Sequence, residues 1–184
     1  MTGAAAECYA PSMTRPIRIW ICAAYHAVYR CGGWAAVRVS QGQASGAAGG
    51  ERHTTARRTA LAGLAAAMRD LPAVGEAASS QPVFIQTTSV ELAGFATFLA
   101  GLGGTAQAAA PDEDLDLWAQ IVTGARGRPL ELVHTALEPG GPSAFVSAWA
   151  DLARDKAKAS GPFTAAIPKP NLAKFPGRMD GEAS

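Results

Sequence analysis

Three strand-like segments follow one another between residues 17 and 52, before any helical period begins. Ile17–Ala24 (IRIWICAA) is β-branched and aromatic and reads as a buried strand. Tyr25–Cys31 connects it onward, and Gly32-Gly33 closes the connection. Trp34–Ser40 (WAAVRVS) reads as the second strand. Gln43–Arg52 reads as the third, weakened by its glycines. Strands joined this closely pair antiparallel, because a parallel pair needs a crossover of a dozen or more residues.

Helices and strands alternate afterwards. Thr54 or Thr55 caps a helix running to about Asp70, with Leu61, Leu64 and Met68 on one face. Ala73–Gln81 reads as a loop, Pro82–Thr88 (PVFIQTT) as a strand and Val90–Leu102 as a helix. Gly103–Pro111 is a low-complexity linker. Asp112–Ala125 reads as a helix whose acidic start suits the helix dipole. Leu130–Leu137 (LELVHTAL) is the last strand, Pro139–Pro142 a turn, and Ser143–Ala159 a closing helix with Phe145, Val146, Trp149 and Leu152 on its apolar side. This order predicts an α/β fold, a five-stranded mixed sheet with helices on both faces.

The chain divides into an N-terminal extension over 1–15, a folded domain over 16–159 and a tail over 160–184 containing Pro and Lys. Met13 is a candidate alternative start. Apolar residues make up 48% of the 184, but many are alanine, so the core rests on a limited set of large side chains. Sixteen basic residues against fifteen acidic leave a net charge of +1, with no basic excess of the kind that phosphate binding favours. Cys8, Cys22 and Cys31 form no CxxC pair and no even disulfide set, so neither a zinc site nor a disulfide framework is expected. No secretory signal and no run of roughly 20 apolar residues is seen, and the expected setting is cytoplasmic, without a membrane.

Local motifs resemble the ribonuclease H family. Gly32-Gly33-Trp34-Ala35-Ala36-Val37 is similar to the Gly-Gly-aromatic start of the family's second strand. Thr55–Leu61 (TARRTAL) resembles its Thr-Asn-Asn-Arg-x-Glu-Leu helix start. Val83–Ser89 (VFIQTTS) resembles the strand that ends in Asp-Ser, and Asp116-Leu117-Trp118 matches Asp-Leu-Trp. Trp149–Arg154 (WADLAR) resembles the final Asp-x-Leu-Ala helix. The likeness spans about residues 17–158 and implies a ribonuclease H-like fold.

The family's chemistry uses two divalent metals held by four carboxylates. Carried over through the motifs, the four ligand positions fall on Cys22, Ala60, Thr88 and Ala150, none of them acidic. The family's mobile histidine would fall near Gly140. Apart from any alignment, Ile17–Tyr25 and Ala56–Met68 contain no Asp or Glu. The expectation is therefore a pseudo-nuclease with no catalytic residues, no bound metal and no cofactor.

Other candidates have sharp and bland readings. Asp112, Glu113, Asp114 and Asp116 are either a metal site or a solvated helix start, and the second is preferred. His134, or Cys22 with His26, suggests a base or a thiol nucleophile, against structural roles for each. Arg57 and Arg58 are candidate phosphate contacts. Phe163, Ile167, Leu172 and Phe175, set among Pro and Lys, are candidates to occupy a groove on this domain or on a partner. Removal of residues 161–184 is then expected to leave the core folded but to weaken partner binding or self-association. The expected partner is another protein or a second copy of the chain, with nucleic acid as the alternative and active RNA–DNA hybrid cleavage through displaced ligands as the third reading.

Overall fold

The computed structural model describes residues 15–69, 71, 81–102 and 111–178. Cys8, Met13, most of the Ala73–Gln81 loop and most of the Gly103–Pro111 linker lie outside the described residues.

β1 (Ile17–His26), β2 (Cys31–Ser40) and β3 (Gln43–Arg52) form the antiparallel meander. Gln41 and Gly42, both at positive φ, make the two-residue turn between β2 and β3, whose twist suits a hairpin. α1 (Ala56–Arg69) then returns the chain, so that β4 (Val83–Thr87) pairs parallel to β1. α2 (Val90–Ala93), α3 (Ala96–Leu102) and α4 (Leu115–Ala125) precede β5 (Leu130–His134), which is parallel to β4. α5 (Pro142–Ser160) crosses the opposite face of the sheet, and α6 (Lys169–Leu172) is a short late turn.

Among the described residues the sheet has six strands where five were expected. The extra one, β6 (Phe163–Ala166), pairs antiparallel to β3 and completes the order β5-β4-β1-β2-β3-β6. Its four residues, Phe-Thr-Ala-Ala, show no alternation of large apolar side chains. They become a strand because the edge of β3 offers unpaired backbone groups.

Alternation along β1 divides the interior. Ile17, Ile19 and Ile21 face α1–α4, joined by Trp34, Leu61, Leu64, Met68, Leu92, Leu99 and Ile121. Trp20 and Cys22 face α5, with Ala35, Val37, Val146, Ala150 and Ala153. Small residues let the layers close. A Cβ on Gly32 would strike the Thr59 side chain of α1, and one on Gly33 would strike the backbone of α5 at Ala150 and Arg154. The buried stripe of α5 is Val146, Ala150, Ala153 and Ala157. Leu152, expected on that face, is exposed instead, because alanine is what the short distance to Gly33 and Gly50 admits. The expected Val90–Leu102 helix breaks at Gly94 and Phe95 into α2 and α3, though Leu92 and Leu99 both remain buried.

Residues 161–178 do not trail away. After β6, Ile167, Leu172 and Phe175 enter the α5-side core. The Phe175 ring meets Trp20 edge-on at 5.1 Å and Phe145 at 5.3 Å. This segment, here called the strap, is a structural part of the sheet and its cover. Among the described residues no helix is long and apolar enough to cross a membrane.

Candidate functional site

The carboxyl end of β4 and the amino end of α5 meet beside β1, and two of the four positions implied by the resemblance, Cys22 and Thr88, come together there. Thr88 follows β4, and its Oγ1 donates to Cys22 Sγ at 3.3 Å. Cys22 Sγ in turn donates to the Ser143 carbonyl at 3.5 Å. Ala150 packs in the same cluster as Cys22. Ala60 does not join them: it is fully buried in the cluster on the α1 side. Ser143, which the sequence did not single out, also receives the Glu138 backbone N–H on its Oγ at 3.2 Å and so ties the turn before α5 to the helix.

Burial pushes the Cys22 thiol up from its ordinary range, partly opposed by the Thr88 hydrogen bonds. A thiol is a useful ligand or nucleophile only as thiolate. At neutral pH this one is protonated, and its proton has an acceptor in the Ser143 carbonyl. Hard dications take oxygen ligands and carboxylate charge. A neutral thiol and a hydroxyl, with alanine at the other two implied positions, do not fit them. The charge of Asp151 raises the thiol further, and Asp151 itself accepts from Arg154 at 2.8 Å. Among the described residues no group of three or more His, Cys, Asp or Glu is placed to hold a metal ion.

Cys22 and His26 do not form a nucleophile pair. The His26 ring meets Tyr29 at a 55° tilt with centroids 4.7 Å apart, while Cys22 bonds Thr88 and Ser143. His134 ends β5 in an exposed position. Thr55 and Ser89 act as caps: Thr55 Oγ1 accepts from the Arg58 N–H at 3.1 Å, and Ser89 Oγ accepts from the Leu92 N–H at 3.4 Å.

The acidic helix start and the two arginines of α1 find each other. Arg57 pairs with Glu113 and Asp114, and Arg58 with Asp114, Asp116 and Glu51. The Arg58–Asp116 contact is bidentate, with bonds of 2.9 and 2.7 Å. The Arg58 guanidinium holds the Asp116 carboxyl down at about 2. Asp114 precedes α4 at φ 54 and makes no side-chain cap, so its carboxylate is spent on α1. The acidic run is more than a solvated helix start: Glu113, Asp114 and Asp116 join the start of α4 to α1. Two guanidiniums face four carboxylates in this network.

Beside that network lies a cleft of about 440 Å³, floored by Ala62, Ala65 and Ala66 and walled by Trp34, Phe163 and Gln120. Of the strap residues considered for docking, Phe163 is half-buried under the Lys156 ammonium, 4.3 Å from its ring centre. Ile167, Leu172 and Phe175 are buried in this domain's own core. They fill a groove on the domain itself.

No protein-family model and no curated protein matches the chain. Several solved structures do. LC9-RNase H1, a type 1 RNase H with the type 2 active-site motif, aligns with a TM-score of 0.53 at 18% identity, over 86% of this chain and 79% of that one. The N-terminal RNase H domain of a Mycobacterium tuberculosis protein, solved as a maltose-binding protein fusion, aligns at 0.53 and 14% identity over 79% and 98%. LC11-RNase H1 in complex with an RNA/DNA hybrid aligns at 0.53 and 20% identity over 77% and 98%.

Proposed function

We propose that this ribonuclease H-like fold serves as a protein-binding subunit and not as a nuclease. The observation that carries the reading is the Cys22–Thr88–Ser143 contact. Where the family resemblance implies metal-holding carboxylates, the chain has a protonated thiol between a hydroxyl and a carbonyl. Catalysis of phosphodiester hydrolysis needs charge aimed at the metal and the leaving oxygen. Neutral, mutually satisfied groups supply none. Two buried free thiols, Cys22 and Cys31, suit a reducing cytoplasmic setting.

A protein partner is favoured over nucleic acid by the ion network. Arg57 and Arg58, the candidate phosphate contacts, are already neutralised by Glu51, Glu113, Asp114 and Asp116. To bind phosphate they would first have to release carboxylates.

The test is incubation of the purified protein with an RNA–DNA hybrid and magnesium or manganese. No cleavage is expected. Metal-dependent cleavage that disappears on Cys22→Ala or Thr88→Ala would overturn the reading. Hybrid binding without cleavage, weakening steeply as salt rises, would favour the nucleic-acid alternative over the protein one.

A further inference from the structure

Apart from its own short turns, the strap is held by contacts on the body beneath it, and it leaves α5 through a single residue that only glycine suits. Gly161 sits at φ 92, ψ −175, a region essentially closed to other residues. A Cβ there meets nothing within 4 Å, so the demand for glycine is conformational and not a matter of space. Past this hinge, Phe163–Ala166 pair with Gly50–Ala47 in strict register. The Ile167 N–H donates to the Gly46 carbonyl at 2.8 Å, and Phe175 seats between Trp20 and Phe145. The receiving groove is therefore complete without the strap: an open β3 edge beside an aromatic socket.

We infer that this groove is a peptide-docking site whose second occupant is the strap of another copy of the chain. An identical strap makes every one of these contacts in trans, so a reciprocal exchange changes only the hinge. In the closed monomer Gly161 must hold its left-handed conformation. In the exchanged form it is free to extend. The mode is strand addition at a sheet edge, with side-chain pockets setting specificity. The trans arrangement competes with a cis strap at high effective concentration, so it grows with protein concentration.

The register supplies the test. Ala47 and Ala166 are partners adjacent to the bonded Gly46–Ile167 pair, on a non-hydrogen-bonded rung where strands approach most closely. Full-length Ala47→Cys and Ala166→Cys variants, each in a Cys8→Ser background, are mixed at rising concentration and oxidised. The expected product is a mixed dimer joined through the two new thiols, increasing with concentration. Adding Gly161→Val to both should raise its yield on the order of ten-fold, because a β-branched residue resists the cis hinge. The double variant Ala47→Cys/Ala166→Cys provides the intramolecular reference. Crosslinking within that chain but none between chains, with or without Gly161→Val, would overturn exchange. No crosslink within the chain would overturn the docked register itself and the inference with it.

Discussion

Gly33 shows how much can rest on one missing methyl group. A Cβ there would lie 2.4 Å from the Ala150 carbonyl oxygen and 2.0 Å from the Arg154 nitrogen, both backbone atoms that cannot rotate away. Gly33→Ala is therefore expected to cost about 3 kcal/mol, the upper end of overpacking, read as a lower urea midpoint at unchanged slope. Gly42→Ala tests the other use of glycine. It meets no neighbour but sits at φ 76, so its cost should stay near 1 kcal/mol. Cys22→Asp probes the degenerate site. Its carboxylate would face the Ser143 carbonyl, an acceptor, in place of a donating thiol. We expect a loss of about 2–4 kcal/mol at neutral pH. Burial would raise the new acid's folded pKa above its unfolded value, so the penalty should shrink as pH falls through that window and grow as pH rises. A penalty that deepened in acid would contradict the buried geometry. Of these features, the Gly-Gly pair and the missing acids were legible from residue order. The Thr88–Cys22–Ser143 bonds were not, because Ser143 stands 121 residues from Cys22 and only the closed fold brings its carbonyl there.

Between elements, the arginines of α1 and the acids before α4 act as a clasp whose members differ in exposure. The Asp114 side chain is 14% exposed and the Asp116 side chain 57%. Removing Asp114 leaves Arg57 and Arg58 short of a shared, poorly solvated partner. Asp114→Ala should therefore cost about 1–2 kcal/mol, and Asp116→Ala under about 1, largely erased by high salt. Acid titration separates the two further. The Asp116 carboxyl is lowered to about 2 by Arg58, so its contribution is present in full above the unfolded value of about 3.9 and is lost as pH falls through 2. The stability gap between parent and Asp116→Asn should close over that window. A gap persisting at lower pH would mean the pair contributes through packing. The sequence placed these acids correctly at a helix start. It could not show that Asp114 forgoes capping at φ 54, nor that α1 lies within reach. Pairings between distant elements carry no local periodicity. The meander, by contrast, was legible because β-branched runs and tight turns are local signals.

For the whole molecule, the strap decides where the folded unit ends. Ile167, Leu172 and Phe175 are each almost wholly buried, and burial of such side chains is worth roughly 1.5–3 kcal/mol apiece, an upper bound. Deleting 161–184 should therefore lower stability by several kcal/mol, about half or more of a typical domain's margin, and raise dye binding by exposed apolar surface. An unchanged thermal midpoint would contradict this. Residue order alone points to a core that folds without this segment, because prolines and lysines mask three well-spaced apolar residues whose sockets, Trp20 and Phe145, are contributed by other elements. There is a second consequence for the edge that β6 covers. β3 runs for ten residues rich in Gly and Ala, and β6 pairs with four of them between Pro162 and Pro168. Proline at both ends stops further strands from adding along that border. Loss of the strap after a protease cut near Gly161 would uncover Ala47–Gly50, a stretch with no charge and no large side chain. The clipped chain is then expected to precipitate into sheet-rich aggregates at concentrations where the intact protein stays clear.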